Sequence, residues 1–270
     1  MSPSTIGDYR VEATLAEGDV VRVVRAVGAD GTRVALKLVQ PGIHDEEVLR
    51  RFEREARIAQ RVEHPNLVPV LGAGWADGVP YMVMRYVPGR TLTQVIEADG
   101  TLAVADVARL VGEIGAALDA LHGAAIVHRD VRSSNVLIGE HGAAALSDFG
   151  FARGQADTRI TELSRPVGTL DYRAPEVFLG RPADRASDIY SLGCLAYEAL
   201  CGVPPFSDKA DLLELGQAHL QEDPPDPSRR RPDVPADFGR GLLTALAKDP
   251  SRRPPSGASY AKLLRFALPS

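Results

Sequence analysis

A chain of 270 residues, of which 44% are hydrophobic and 25% charged, is long enough to bury a sizeable core and has the composition of a soluble globular protein. The formal net charge of −5 gives no support to a nucleic-acid partner, because such proteins carry a broad basic excess. We expect no membrane segment in this chain and a cytoplasmic location, since the sequence holds no run of about 18 apolar residues and no signal-peptide pattern.

The first predicted element is a strand pair around a turn at residues 17–19, within the stretch TLAEGDVVRVVRA (14–26). Read as the phosphate-binding pattern G-x-G-x-x-G, its three glycine positions hold Ala16, Gly18 and Val21. Apolar alternation on both sides of the turn is an ordinary hairpin signal. By itself, therefore, the stretch favours a hairpin over a nucleotide-binding loop.

Strand-like runs continue to about residue 86. VVRVVRAV and RVALKLV are β-branched runs joined by a predicted turn at residues 28–31, and NLVPVLGAGW and VPYMVMRYV follow later. One helix interrupts them, from about Asp45 to Arg61, with acidic residues in its first turn, where the helix dipole favours negative charge. The dipeptide Pro88-Gly89 then breaks the chain.

Beyond residue 89 the pattern is helical, because apolar residues recur at three- and four-residue steps. This periodicity predicts a helix over 104–121 with Gly123 as its C-cap, a second over 188–200 closed by Gly202, and a third over 238–248. The fold class is therefore α+β: a small, mostly β lobe, a short hinge and a larger helical lobe, with a cleft between the lobes.

Cysteine and lysine are both rare in this chain, and their positions bear on its chemistry. Cys194 and Cys201 lie seven residues apart on one predicted helix, about 10 Å along its axis, which is too far for a disulfide, so both are expected to be structural thiols. Only four of the 31 basic residues are lysine, and Lys37 is one of them. A lysine kept in a chain that otherwise uses arginine indicates a need for a compact ammonium group at that position.

The most informative segment is IVHRDVRSSNVLI, residues 126–138, which contains the order H-R-D-x-x-x-x-N. Thirteen residues after Asn135 comes the triplet Asp148-Phe149-Gly150, and YRAPE follows at 172–176. Each motif alone is a weak signal, but their occurrence in this order is strong evidence for one kind of site.

Each of these residues also has a plain structural interpretation. Asp130 and Asp148 fit turn positions, Asn135 fits a loop cap, and Lys37 and Glu55 fit solvated surface charges. For any one residue taken alone the plain interpretation is favoured. The order and spacing of the whole set favour catalysis.

On these motifs the chain resembles the eukaryotic-like (Hanks-type) protein kinases, and most closely their bacterial serine/threonine kinase branch. The resemblance runs from about Tyr9 to Leu264 and includes VALK, RFEREARIAQRVEHPNLV and SDIYSLGCLAYEALCGVPPF. It implies the bilobal protein kinase fold over residues 1–270, with an N-lobe of about 1–84 that carries one regulatory helix, a hinge at 85–89 and a mainly helical C-lobe at 90–270. AKDPSRRP resembles a late motif whose arginine, Arg253, pairs with Glu176.

The resemblance also implies a role for each matching residue. Asp130 orients the acceptor hydroxyl as a base, and Lys37, held by Glu55, steadies the α- and β-phosphates of ATP. Arg132 and Asn135 complete the catalytic set, and Asn135 and Asp148 are the oxygen ligands of Mg²⁺, for which Mn²⁺ is an alternative. The residues implied in nucleotide binding are Ala16, Gly18, Val23, Ala35, Lys37, Met84, Tyr86, Val87, Leu137 and Asp148.

The sequence departs from the pattern of this family in three places. Arg132 and Ser133 stand where the serine/threonine branch usually has lysine and proline, and Arg85 replaces the usual hinge glutamate after the gatekeeper Met84. The third departure is the glycine-poor loop. The methyl group of Ala16 is tolerable unless that residue needs a positive φ, whereas the β-branched Val21 stiffens a loop that should close over ATP.

The segment from Asp148 to Glu176 corresponds to the activation loop of the family. It contains Thr158, Thr161 and Ser164, of which Thr161 or Ser164 is favoured as a phosphorylation site, with Arg129 as the expected partner of the phosphate. Their plain interpretation is polar loop residues. Thr169 matches the residue that lies beside the catalytic aspartate in serine/threonine kinases, which favours those acceptors over tyrosine.

Three hypotheses follow. The first is an active serine/threonine protein kinase, a transferase that moves the γ-phosphoryl group of Mg-ATP to a protein hydroxyl and phosphorylates itself. The second is a pseudokinase, a weak nucleotide-binding or non-catalytic interaction module, supported by the altered loop and Arg132. The third, a small-molecule kinase of related fold, is disfavoured by YRAPE and Thr169. The resemblance leaves a homodimer open, and it leaves open a free cytoplasmic kinase or the cytoplasmic domain of a longer membrane receptor kinase.

Overall fold

The computed structural model describes residues 5–18, 20–40, 42–43, 45–148 and 170–268, apart from the side chains of Arg51 and Glu55. The chain divides into two compact units, Met1–Pro88 and Gly89–Ser270, which we call unit 1 and unit 2. The division falls at the Pro88-Gly89 dipeptide.

Unit 1 is an antiparallel sheet with one helix. The strands are β1 (Thr5–Ile6), β2 (Tyr9–Glu17), β3 (Val21–Val27), β4 (Arg33–Val39), β5 (Val70–Ala76) and β6 (Val79–Arg85), and the helix is α1 (Glu46–Ala59). The sheet order is β1-β2-β3-β4-β6-β5. The predicted fold class is confirmed in this part of the chain.

One face of the sheet packs a hydrophobic cluster. In β4, Val34, Leu36 and Leu38 alternate with the residues of the opposite face, and the register sets Val24 and Val83 opposite Leu36. Such cross-strand neighbours share a face, so their side chains pack together. The buried members of this cluster are Ile6, Val24, Ala26, Val34, Leu36, Leu38 and Val83.

Local signals set the ends of the elements in unit 1. The predicted turn at residues 28–31 is present: the Gly31 amide donates to the Gly28 carbonyl at 3.0 Å, and Gly31 has φ +81°. The predicted helix over 45–61 begins at Glu46, because the Asp45 side chain caps it by accepting a hydrogen bond from the Glu47 amide, and it ends at Ala59.

Unit 2 is mainly helical and carries a small sheet. The helices are α2 (Leu92–Asp99), α3 (Val104–Gly123), α4 (Pro175–Phe178), α5 (Arg185–Cys201), α6 (Leu212–Gln221), α7 (Ala236–Leu243) and α8 (Gly257–Phe266). The strands β7 (Gly89–Thr91), β8 (Val136–Gly139) and β9 (Ala144–Leu146) form the sheet in the order β7-β8-β9. Helix α5 is buried along most of its length, as the resemblance implies for its central helix.

Two predicted helix ends in unit 2 were wrong. Gly123 is the last helical residue of α3 rather than its C-cap, and the left-handed residue is Ala125, with φ +59°. The helix ends in a Schellman motif, in which the Ala125 amide donates to the His122 carbonyl at 3.1 Å and the Ile126 amide donates to the Leu121 carbonyl at 2.9 Å, so the left-handed residue lies two positions after Gly123. The third predicted helix ends as an α-helix at Leu243 and continues as a 3₁₀ turn over Thr244–Leu246.

The central helix was predicted over 188–200 and begins three residues earlier. Asp184 accepts a hydrogen bond from the Ser187 amide and Ser187 accepts one from the Asp184 amide, a capping box that starts the helix at Arg185. Gly202 closes it with φ +81°, as predicted. Cys194 and Cys201 both lie on this helix as free thiols, and burial raises the pKa of each.

Helices α3 and α8 meet at two glycines. A Cβ atom added to Gly257 would lie 2.2 Å from the backbone oxygen of Gly115, and one added to Gly115 would lie 3.0 Å from the backbone of Gly257. Backbone atoms of two packed helices cannot move aside as a side chain does. Both positions therefore require glycine for packing.

We expect Gly257→Ala to lower the free energy of unfolding by about 1–3 kcal/mol, the usual cost of overpacking a tight contact. Urea denaturation followed by circular dichroism measures it. The control is Gly112→Ala on the same helix α3, where the added Cβ would lie 3.9 Å from that of Ala261, an ordinary contact. This control should be neutral or stabilising, because alanine is the better helix former. Equal stability of Gly257→Ala and the wild type would contradict the packing argument.

Candidate functional site

The register of the unit 1 sheet groups five residues that the sequence predicts to bind a nucleotide. Antiparallel pairing sets Val23 opposite both Ala16 and Lys37. It also sets Ala35 opposite Met84. Directly opposed residues, and residues two apart on one strand, share a face of a sheet. All five are therefore on the face opposite the hydrophobic cluster.

Lys37 is buried, with 4% of its surface exposed. Glu55 is on α1, which packs against β5 and β6. The Glu55 side chain is outside the described part of the structure, so the Lys37–Glu55 ion pair stays a prediction.

The glycine-poor loop connects β2 to β3. The Gly18 amide donates to the Val21 carbonyl at 2.9 Å, and Gln40 Nε2 donates to the Gly18 carbonyl at 3.0 Å. Ala16 is a described residue and does not have a positive φ. Its methyl group therefore causes no backbone strain. Val21 pairs with Val39 in the ladder. Strand pairing therefore holds Val21, and Gln40 holds Gly18.

The residues after β6 complete the predicted nucleotide set in unit 1. Tyr86 and Val87 follow Arg85, the last residue of β6, and both are partly buried. The Arg25 guanidinium lies 5.7 Å from the centre of the Tyr86 ring. The Arg85 side chain is exposed and its amide donates to the Pro69 carbonyl at 3.0 Å, so this departure from the family pattern alters a surface side chain.

In unit 2 the segment from His128 to Asn135, here called the catalytic loop, is anchored at its start by Asp188. The Asp188 carboxylate accepts hydrogen bonds of 2.8 Å from the amides of His128 and Arg129, and it lies 2.8 Å from His122 Nε2. Asp188 is 1% exposed and is in the first turn of α5. The start of the loop is therefore held against helix α5. Arg129 has a positive φ of +68° in this arrangement.

His128 is a buried structural residue, 1% exposed. Burial lowers its pKa, which favours the neutral imidazole. The Asp130 amide donates to Nδ1 at 3.2 Å, which assigns the ring proton to Nε2, and Nε2 donates to the Ser147 carbonyl at 3.1 Å. The ring thus links the Asp130 backbone to that of Ser147, the residue that follows β9.

Asp130, Arg132 and Asn135 come together within the catalytic loop. Asn135 Nδ2 donates to the Asp130 carbonyl at 2.8 Å and to Asp130 Oδ2 at 2.9 Å. Arg132 Nε lies 3.4 Å from the same Oδ2. These contacts fix the orientation of the Asp130 carboxylate while leaving its side chain 30% exposed.

The hairpin of β8 and β9 brings Ser147, the neighbour of Asp148 in the chain, into contact with Asn135. Leu137 pairs with Ala145 in this hairpin. At its end the Ser147 amide and hydroxyl donate to the Asn135 carbonyl at 2.8 Å and 3.0 Å, and Ser147 Oγ lies 3.5 Å from Asp148 Oδ2. Asp148 has φ +60°, an uncommon conformation that is often found at functional sites.

Away from the loop, the predicted pair of Glu176 and Arg253 is confirmed. Arg253 Nη1 and Nη2 each donate to a different Glu176 oxygen at 2.8 Å, and Ser187 Oγ donates to Oε1 at 2.6 Å. Burial by itself would raise the pKa of Glu176, but these hydrogen bonds outweigh it and hold the pKa below its ordinary value.

Sequence reasoning missed two residues of the site. Asp188 was recognised only as the start of a helix, and Ser147 was not singled out. An aspartate at the start of a helix is usually interpreted as a cap. Only the fold shows that Asp188 accepts hydrogen bonds from amides 59 and 60 residues away. Phe149, Gly150 and the predicted activation-loop residues Thr158, Thr161, Ser164 and Thr169 lie outside the described residues.

Known proteins similar to this chain identify its family. The family profile described as "Protein kinase domain" matches residues 9–262. The chain is 38% identical over 249 residues to the serine/threonine-protein kinase PknE of Mycobacterium tuberculosis, covering 92% of this chain and 44% of PknE. It is 38% identical over 240 residues to PknB of Mycolicibacterium smegmatis, covering 86% and 38%. It is 36% identical over 267 residues to pkn3 of Myxococcus xanthus, covering 93% and 48%.

The chain thus spans less than half the length of each of these three relatives. No helix in the described part of the chain is both long and apolar enough to cross a lipid bilayer.

Proposed function

The chain belongs to the protein kinase family, and from that membership we propose that it is a serine/threonine protein kinase that transfers the γ-phosphoryl group of Mg-ATP to a protein hydroxyl and phosphorylates itself. The observation that carries the proposal is the orientation of Asp130 by Asn135 and Arg132 in an anchored loop. Phosphoryl transfer asks mainly for positioning and charge neutralisation, and this loop is built for positioning.

Asp130 is the proposed base. Its Oδ2 already accepts from Asn135 Nδ2 and faces Arg132, so the proposed acceptor of the substrate hydroxyl proton is Oδ1. Arg132 is proposed to place a positive charge beside the incoming γ-phosphate, at the position where the serine/threonine branch of the family usually has lysine. Both residues are partly exposed, as a group that meets a substrate must be.

Asn135 and Asp148 are the proposed ligands of Mg²⁺. Because Asn135 donates with Nδ2, its Oδ1 is the atom suited to a cation, and the Asp148 carboxylate supplies a second oxygen. Oxygen donors of this kind fit a hard cation such as Mg²⁺ or Mn²⁺. When bound, such an ion neutralises phosphate charge.

In unit 1, Lys37 is proposed to contact the α- and β-phosphates. Ala16, Val23, Ala35 and Met84 share its face of the sheet and supply an apolar surface for the adenine ring. Gly18, Tyr86, Val87 and, from unit 2, Leu137 belong to the same proposed set.

A pseudokinase is the second candidate, favoured by the stiff loop with Val21 in the β3 ladder. A thermal-shift titration of the purified chain with Mg-ATP separates the two candidates in part. A binder is stabilised by about 2.7 kcal/mol at 100 times its Kd. The absence of any shift would reject the active kinase, and a shift without phosphate transfer would support a nucleotide-binding pseudokinase.

Val21→Gly is expected to tighten ATP binding about two- to five-fold, because removing the β-branched side chain lets the loop close. Titration calorimetry measures the Kd. Val20→Gly is the control, because Val20 is 45% exposed and lies outside β3, and its affinity should change less. Unchanged or weaker binding by Val21→Gly would contradict this account of the loop.

The proposed partners are ATP and a protein substrate with a serine or threonine acceptor. Phosphorylation at Thr161 or Ser164, with Arg129 as the partner of the phosphate, is proposed as the activating event. Since the relatives are longer proteins, two locations remain proposals: a free cytoplasmic kinase and the cytoplasmic part of a longer receptor kinase. A homodimer likewise remains a proposal.

A further inference from the structure

Ser133 lies at the centre of a buried polar network in unit 2. It is 2% exposed and begins the 3₁₀ turn Ser133–Asn135. Its Oγ is 2.7 Å from Thr93 Oγ1 on α2 and 3.0 Å from the Tyr172 hydroxyl. It is also 3.0 Å from Glu198 Oε1 on α5. One hydroxyl in the middle of the catalytic loop therefore meets three separate parts of the unit.

The donors of the network can be assigned from the number of protons. The Tyr172 hydroxyl donates to Glu198 Oε2 at 2.6 Å, and Ser133 Oγ donates to Oε1. Each hydroxyl has a single proton, so Ser133 receives its own hydrogen bond from Thr93. The order is Thr93 to Ser133 to Glu198, with Tyr172 as the second donor to the carboxylate.

Glu198 makes this network costly to break. It is 8% exposed, and burial raises the pKa of its carboxyl, while the hydrogen bonds from Tyr172 and Ser133 act in the opposite direction. A buried carboxylate that loses one of two donors keeps its desolvation cost without the compensation. The Ser133 bond is therefore held firmly in the folded state.

The position of Ser133 in the loop gives the network a role. The loop is fixed at its start by Asp188, through the amides of His128 and Arg129, and at its end by Ser147. Between these two points, Ser133 is joined to α5 by Glu198, so the middle of the loop has an anchor of its own.

We propose that Ser133 is a positioning residue of the phosphoryl-transfer reaction, which holds the middle of the catalytic loop against Glu198 and Tyr172 and so sets the place of Asp130 and Arg132. This inference rests on the proposed kinase function. Serine stands where most serine/threonine kinases have proline, which has no hydroxyl to donate. The tie through Ser133 is therefore a property of this chain rather than of the family pattern.

The test compares steady-state kinetics of Ser133→Ala with the wild type, on a generic protein substrate with Mg-ATP. We expect kcat to fall about 10- to 100-fold, because a small misplacement of a catalytic group has an effect of that size. The KM for ATP should change less than two-fold. Ser133→Thr keeps the hydroxyl and should recover most of kcat.

Ser191→Ala is the matched control. Ser191 is on α5 and donates to the Tyr172 carbonyl at 2.7 Å, so its loss affects the same segment without touching the catalytic loop. Its kcat should equal that of the wild type. An unchanged kcat in Ser133→Ala would overturn the proposal, as would an equal loss in Ser191→Ala.

Amide hydrogen exchange separates this inference from the proposed function, because it needs no activity. In Ser133→Ala, exchange of the amides in residues 130–135 should quicken while that of α3 stays at the wild-type rate. Unchanged exchange in the loop would reject the positioning role even in an active enzyme. A wild type without phosphate transfer, together with faster loop exchange in the variant, would reject the kinase function and keep the anchoring contact.

Discussion

Asp130→Asn is expected to lower kcat about 10²- to 10⁴-fold, the contribution typical of a positioned acid–base group. Asparagine keeps the size of the side chain and still accepts the hydrogen bond from Asn135 Nδ2, so the loop should retain its shape. What it loses is the ability to accept the proton of a substrate hydroxyl. Steady-state phosphorylation of a protein substrate measures the change.

Two controls define this result. Asp208→Asn makes the same chemical change at an exposed aspartate of unit 2 and should leave kcat unaltered. The stabilisation of Asp130→Asn by Mg-ATP should match that of the wild type, since the variant is proposed to bind nucleotide normally. Retention of more than about a tenth of the wild-type kcat would show that Asp130 is not the base.

Arg253→Ala has the largest expected effect on stability. Arg253 donates two hydrogen bonds to Glu176 and others to the carbonyls of Ala186, Ala247 and Lys248, and none of its side chain is exposed. Its removal leaves the Glu176 carboxylate buried without its cation, a change that typically costs about 3–5 kcal/mol. Urea denaturation followed by circular dichroism measures the loss.

The loss should depend on pH. The pKa of Glu176 lies below its ordinary value in the folded protein, so the stabilisation from the pair is complete above the ordinary carboxyl pKa of about 4.3 and is lost as the pH falls through the folded value. The wild type and Arg253→Ala should therefore differ most near neutral pH and less in acid. The neighbouring Arg252 is exposed, and Arg252→Ala should be near neutral. A loss for Arg253→Ala no larger than for this control would contradict the account.

Much of unit 1 was predictable because its signals are local. The alternation of Val34, Leu36 and Leu38 with Ala35 and Lys37 assigns the two faces of β4. The acidic start of α1 and the turn at residues 28–31 are equally readable, since each depends on residues only a few positions apart.

Helices α2, α6 and α8 were not predicted as separate elements. They have eight, ten and ten residues, too few for a clear periodicity. The capping box of Thr91 and Gln94 at the start of α2 is a local sequence signal for this helix that does not depend on apolar spacing.

In the site, motif order identified Asp130, Asn135 and Asp148, but it did not identify the residues that hold them. Ser133 meets Glu198 across 65 positions of sequence, and Asp188 meets the loop amides across about 60. No local pattern encodes such contacts, because they depend on how helices and loops pack in three dimensions. Supporting residues of this kind need a structure to be found.

The most direct test of the central claim is the transfer of labelled γ-phosphate from Mg-ATP to the purified chain and to a protein substrate, compared with Asp148→Asn. The wild type should incorporate phosphate on serine or threonine, and the variant should retain about 1% of that activity or less, since it loses a carboxylate proposed to hold Mg²⁺. Persistent incorporation by Asp148→Asn would contradict the assignment of the site. No incorporation by the wild type would contradict the kinase itself.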